Sequence, residues 1–385
     1  LATEINRFLI SLICLAASFF VVTSNSIHAA SSLQPSNKGL IEIKDSIGRL
    51  VTIPSEVNRV ICSGAGCLRL LTYLQGQDKV VAVDSMETKG MIIDARPYAI
   101  ANPRFKDCPL FGELRGRDNP ELIVSLKPLP QVIFKTCSDK GESPSRLTEK
   151  TQIPVVVLDY GSLTKNRADL NKSLKLMALI IGKPKRAEEV IEYLNNLQED
   201  LQRRTKDITD AARPSCYIGG LGGSGAHGLP STESLFEPFL FTNARNVAAD
   251  ASSSEKRSKA SVSKEQIVFW DPDIIFLDVS TLLLSTADSA VNQLRNDPAY
   301  GDLTAVRKGR VYGLFPYNSY HHNFGATFAN AYFAGKILYP DRFKDVDPMI
   351  KAEEISSYLN GGPAFEILKK QYQGLPFSSI KVREN

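Results

Sequence analysis

Phenols and imidazoles gather late in this sequence. The stretch PYNSYHHNF, residues 316–324, brings Tyr317, Tyr320, His321 and His322 close together, and apart from His28 the one other histidine is His227. Imidazole and phenolate suit transition metals, so His227, His321 and His322 form a candidate metal-contacting group. Tyr317, Tyr320 and Glu233 complete the candidate ligand site on this side. These residues follow an apolar run at what should be a strand's carboxyl end, in an otherwise polar loop, which suits a cleft lining better than a core. As exposed loop residues they should add little to folding stability.

The spacing does not assemble an enzyme. There is no HExxH pair, and GGLGGSG fits G-x-G-x-x-G at Gly220, Gly222 and Gly225 without its context. No helix opens there, Gly228 and Pro230 break the chain again, and no acidic residue closes a βαβ unit. Ser224 is not a nucleophile elbow, because Ala226 stands where the second glycine belongs. These glycines are expected to let the backbone bend around a ligand.

One helix must position both ends of such a site. From Pro184 to about Thr205, Ala187, Val190, Ile191, Leu194, Leu197 and Leu201 recur at three- and four-residue intervals, with charged residues between them. Its length of about 33 Å, at 1.5 Å per residue, can join two domains. Before it, strands alternate with helices: Val57 to Ser63, then Lys79 to Val83, Gln131 to Lys135 and Pro154 to Asp159 as strands, preceded by a hairpin turning at Gly48. That rhythm implies a mostly parallel sheet with its ligand edge at the strands' carboxyl ends. At that edge Gly64, Ala65 and Gly66 would let a ligand approach the backbone. In the long Pro-broken stretch from Asp84 to Arg117, Arg115 or Arg117 could pair with an anion.

A repeat links the halves. NPELIVSLKPLPQVIF, residues 119–134, aligns without gaps on SKEQIVFWDPDIIFL, residues 263–277, so that Glu121 meets Glu265, Ile123 meets Ile267 and Pro128 meets Pro272. The expected organisation is an α/β chain of two Rossmann-like lobes, residues 38–183 and 207–385, joined by a single helix over 184–206 with the ligand cleft between them. One helix resists bending, so little hinge motion is expected.

With 46 Lys and Arg against 42 Asp and Glu, dispersed along 385 residues, no nucleic-acid face is indicated. Arg7, the apolar run from Phe8 to Val22 and His28-Ala29-Ala30 read as an export signal over residues 1–30. Beyond it lie Cys62, Cys67, Cys108, Cys137 and Cys216, an odd number without a CxxC pair, so a structural zinc site is not expected.

NPELIVSLKP, SKEQIVFWDPDIIF and DPAYGDLTAVRKGRVYGL, with the paired lobes and the connecting helix, resemble the helical-backbone class of periplasmic substrate-binding proteins. GAHGLPSTES, residues 225–234, followed by NARNVA, resembles that class's metal- or iron-complex receptors. The resemblance covers about Ile41 to Tyr372, with Leu129 standing where the usual motif has Asp. It implies a periplasmic monomer without a cofactor of its own that binds a metal chelate: iron-siderophore, haem, cobalamin or a related iron, cobalt or nickel complex. It also implies delivery to ABC permease subunits, with docking roles falling on Glu121 and Glu265. Two other readings stay open: a receptor for bare zinc or manganese, and a secreted metal-dependent hydrolase using the histidines and Glu233. Against the bare ion, no histidine between residues 31 and 183 can complete a cage.

Overall fold

Val60–Ser63, Val132–Lys135 and Val155–Val157 are buried at every position, the burial expected of parallel strands covered on both faces. They belong to a computed structural model describing residues 35–37, 39–136, 139–222, 226–251, 259–284 and 288–382. The expected export signal, Cys137, Ser224 and Gly225 lie outside the described residues.

In the first lobe six strands lie in the order Arg117–Asp118, Leu110–Glu113, Val80–Asp84, Val60–Ser63, Val132–Lys135 and Val155–Val157, parallel except for the first. The chain runs outward from Val60–Ser63 on one side, then returns to its other side. That reversal leaves a crevice at the carboxyl end of Val60–Ser63, where Gly64 to Gly66 turn. The second lobe repeats the device: Arg245–Asn246, Ser215–Gly219, Ile274–Asp278 and Val311–Leu314 are neighbours in that order and all parallel. An antiparallel pair, Ser231–Glu233 with Lys259–Ser261, stands beside that sheet.

Pro184–Thr205 is helical over its whole expected length, burying Ala187, Val190, Leu194, Leu197 and Leu201. Arg186 at its start donates to the Tyr73 and Tyr358 carbonyls, and Arg204 in its last turn reaches Asp345 at 2.7 Å. The repeat is structural as well. Pro120–Ser125 and Lys264–Trp270 are both helices leading through a turn into a buried strand, and Ile123 and Ile267 are both fully buried.

Two features were not foreseen. The stretch from Asp84 to Arg117 is not an irregular loop but carries the helices Ser85–Thr88 and Pro97–Ala101 and two strands. It is tied by buried Arg96, 2.9 Å from Glu87 and 2.7 Å from Asp94, with the Tyr98 hydroxyl donating to Glu87 at 2.5 Å. The penultimate described helix, Pro348–Asn360, reckoned with the second lobe, also packs against the first lobe's Cys67–Tyr73 and Pro97–Ala101, and Asn102 donates to the Asn360 carbonyl at 3.0 Å.

One hydrophobic cluster therefore runs from Leu70 and Leu174 through Leu194 to Phe328 and Leu359, and Leu33–Asn385 form a single compact unit. Closing such lobes by a wide hinge would tear core packing. Small-angle scattering with and without ligand should show the radius of gyration changing by no more than about 1 Å. A shrinkage of several Å would contradict this.

Candidate functional site

The carboxyl ends of both sheets converge on a pocket of about 400 Å³ lined by Ala65, Met86 and Arg115 of the first lobe and by Glu233, Lys259, Tyr317, Asn318, Tyr320, His321 and His322 of the second. A larger groove of about 670 Å³ lies between Leu110–Glu113 and Pro120–Ser125 and is lined by the first lobe alone. The smaller pocket is the better candidate, because both lobes and both strand-end crevices meet there.

The segment after Val311–Leu314 carries most of the chemistry. Tyr317 is 5% exposed and its hydroxyl donates to Glu233 Oε2 at 2.5 Å. Burial pushes the Tyr317 phenol well up, so it stays protonated. Tyr320 and His321 have φ of 48° and 80°, unusual for residues with a Cβ. The Tyr320 hydroxyl accepts the Arg115 amide at 2.8 Å and donates to Asp84 at 2.5 Å, which carries the segment across to the first lobe. Burial pushes the Asp84 carboxyl up to about 7.

Arg115 itself is exposed, with φ of 62°. Its turn is fixed from beneath by fully buried Lys135, which donates to the Gly116 carbonyl at 2.9 Å and pairs with fully buried Asp118. Lys259 faces Glu233 across the antiparallel pair, donates to the Gly222 carbonyl at 3.1 Å and lies 5.7 Å from the Tyr317 ring centre. Asn318 donates to the same carbonyl at 3.1 Å.

Neither histidine is a freely exposed loop residue. His321 Nδ1 accepts the His322 amide at 2.9 Å, leaving Nε2 as the N–H donor, and its ring lies 3.9 Å from that of Tyr160. His322 Nε2 sits 2.7 Å from Thr327 Oγ1 and 3.2 Å from Glu237 Oε2, with its side chain 20% exposed. Burial, helped by nearby positive charge, lowers His321 to about 4 and His322 to about 3, so both rings are neutral near pH 7. Burial raises Glu237 to about 7.

These shifts fix a pH test. A depressed histidine contributes stability that is present above its ordinary value near 6.5 and lost as pH falls toward 3. A raised glutamate contributes stability that is present below about 4.5 and lost as pH rises through 7. Between about pH 4.5 and 6.5 the two slopes oppose each other. His322→Gln removes one, so in thermal melts the variant should gain on wild type by about 1 kcal/mol for each unit of acidification across that window. A pH-independent difference would show that His322 does not stay neutral in the folded protein.

Several expected site residues stand elsewhere. His227 is exposed and does not line the pocket. Arg117, also exposed, lines the first-lobe groove instead. Gly64 and Gly66, with φ of 92° and 81°, are required by the protein's own packing: a Cβ would fall 2.5 Å from the Thr136 carbonyl oxygen and 2.1 Å from the Tyr160 ring. Only Ala65 of that turn reaches the pocket. Gly220 and Gly228 likewise face Thr281 and Gln293. The three histidines do not form a ligand group, and no cluster of three or more His, Cys, Asp or Glu suited to a metal ion occurs among the described residues.

Met86, Lys259 and Asn318 were missed. Lys259 reaches the pocket only through its pairing opposite Glu233, which no local pattern announces.

Residues 112–317 match the sequence model of the periplasmic binding protein family. The molybdate-binding protein MolA of Haemophilus influenzae is 26% identical over 330 residues, covering 79% of this chain and 86% of MolA. The solved structure of MolA bound to molybdate superposes with a TM-score of 0.61 at 21% identity, over 84% of this chain and 98% of that one. A periplasmic solute binding protein of Veillonella parvula gives 0.66 at 20% identity, over 86% and 96%. CeuE of Helicobacter pylori with nickel and histidine gives 0.55 at 16%, over 85% and 98%. The structural likenesses establish the two-lobed fold. Among the described residues no helix is long and apolar enough to cross a membrane.

Proposed function

Because this chain belongs to the periplasmic binding protein family, we propose that the cargo it delivers to its ABC importer is a compact, anionic metal species, a metal chelate such as an iron complex in the first instance. The observation that carries this reading is the pocket itself, where Arg115 from one lobe and Lys259 from the other face a wall of neutral imidazoles and phenols. Two cations, one carboxylate and neutral donors suit an anion whose metal is already coordinated, since carboxylate or catecholate oxygens accept charge-assisted hydrogen bonds. At about 400 Å³ the pocket lies toward the small end of ligand sites, which favours a compact chelate over a haem or corrinoid macrocycle. The metal is cargo, not cofactor, and the receptor does no chemistry on it.

A second reading, a tetrahedral oxyanion, is favoured by the 26% identity to a molybdate-binding protein and by the same small volume. A bare zinc or manganese ion finds less support, because it needs ligands that the described residues do not cluster. The hydrolase reading lacks support from the relatives, which are transport receptors. The protein is proposed to act as a monomer outside the inner membrane, exported by residues 1–30 and docking on the permease through Glu121 and Glu265.

Calorimetric titration of dialysed protein with ferric citrate, molybdate and zinc chloride separates these readings. Micromolar or tighter binding of one of the two anions, without zinc binding, is the expected result. Tight zinc binding with neither anion bound would overturn it.

A further inference from the structure

We propose that Arg69 is the positioning residue of this cleft: a buried guanidinium of the first lobe that holds the Ser319–His322 backbone of the second and sets a fixed positive charge behind the pocket wall. It rests on the cleft being the cargo site. The helix Cys67–Tyr73 is buried at every position, Arg69 included at 1% exposure. Burying a cation is costly unless it is compensated. The other deeply buried cations here are compensated: Arg96 by Glu87 and Asp94, Lys135 by Asp118. Among the described residues no carboxylate stands within ion-pair distance of Arg69.

Its acceptors are all neutral. Nη1 donates to the Tyr160 hydroxyl at 2.7 Å and to the His322 carbonyl at 2.9 Å, and Nη2 donates to the Ser319 carbonyl at 2.7 Å. The guanidinium carbon lies 5.1 Å from the Tyr98 ring centre, and Nε is buried without an acceptor. The Tyr160 hydroxyl donates to the same His322 carbonyl at 2.6 Å. Two carbonyls of one strained segment are thus fastened from the opposite lobe.

That segment needs fastening. Left-handed φ at Tyr320 and His321 costs free energy and persists only where the surroundings over-determine it. The Arg69 charge is also felt at the pocket, since it is among the causes that keep His321 and His322 neutral. A group that gives hydrogen bonds to carbonyls keeps its full charge, so Arg69 adds its positive field to those of Arg115 and Lys259 and offsets the Glu233 carboxylate in the lining. Arg69 therefore does two things: it sets the geometry of Tyr320 and His321 before cargo arrives, and it biases the pocket toward anions.

Three variants test this: Arg69→Met, Arg69→Lys and Tyr160→Phe. In ligand-free protein, amide hydrogen exchange across residues 318–323 should accelerate at least tenfold in Arg69→Met and less in Tyr160→Phe, while Pro184–Thr205 keeps its protection. Affinity for ferric citrate or molybdate should fall at least tenfold in Arg69→Met and be largely restored by Arg69→Lys, which keeps the charge. Unchanged exchange in Arg69→Met overturns the positioning role, and unchanged anion affinity overturns the charge role. Should Arg69→Met fail to fold, wild-type exchange in both Arg69→Lys and Tyr160→Phe overturns the proposal. If wild type takes neither anion, the cargo reading fails while the exchange result still decides the role of Arg69.

Discussion

Reversing Glu121 and Glu265 together to Lys should abolish cargo uptake through the cognate importer while leaving cargo affinity in solution intact. The two carboxylates are equivalent in three dimensions as well as in sequence. Each is the second residue of its helix, after Pro120 or Lys264, behind a capping side chain: Asn119 accepts the Glu121 and Leu122 amides at 3.0 and 3.1 Å, and Ser263 accepts the Gln266 amide at 3.1 Å. Both are exposed, and exposed apolar residues flank them, Leu122 and Val124 on one lobe, Val268 and Phe269 on the other. A carboxylate in a first helical turn gains about 0.3–1 kcal/mol from the helix dipole, so the double reversal should leave the fold intact. Acidic knobs on two lobes suit a channel built from two subunits with basic pockets, where rim charges govern orientation and association rate and weaken with salt. Uptake surviving the double reversal at low salt, or cargo binding lost along with it, would remove the docking role.

Replacing Arg115 and Lys259 together with Met should weaken anion binding by about a hundredfold or more, since charge-assisted hydrogen bonds contribute about 1.5–3 kcal/mol each. Both residues are exposed, so the melting temperature should hardly move. This pair is a cleaner probe than His321 with His322, whose rings pack on Tyr160, Thr327 and Glu237 and whose loss would cost folding stability as well as affinity. Calorimetry beside a thermal melt decides it, and undiminished affinity would take both cations out of the site.

How much of this was legible follows from which signals are local. Pro184–Thr205 announces itself because its apolar stripe, its N-terminal proline and its basic last turn all lie within one segment. The repeat was legible for the same reason, and the Tyr317 to His322 loop because its composition does not suit a core. Arg69 was not singled out, although a lone cation in the apolar run CLRLLTY is the local mismatch that could have marked a buried charge. The rest depends on long-range pairing. Gly64 and Gly66 looked made for a ligand, yet the close neighbours are Thr136 and Tyr160, residues brought there by the sheet. His227 shares a chemistry with His321 but not a place. The stretch from Asp84 to Arg117 owes its order to an ion cluster around Arg96 that no periodicity encodes.

A metal-bearing anion is proposed to sit between the lobes at the strand ends. Anomalous diffraction at the absorption edge of the metal carried by cargo-loaded crystals tests it most directly. The expected result is a single peak inside the pocket bounded by Ala65, Tyr317 and His321, with cargo oxygens in hydrogen-bond reach of Arg115 and Lys259. A peak in the first-lobe groove beside Glu121, or a cleft left empty by protein that carries its metal, would contradict it.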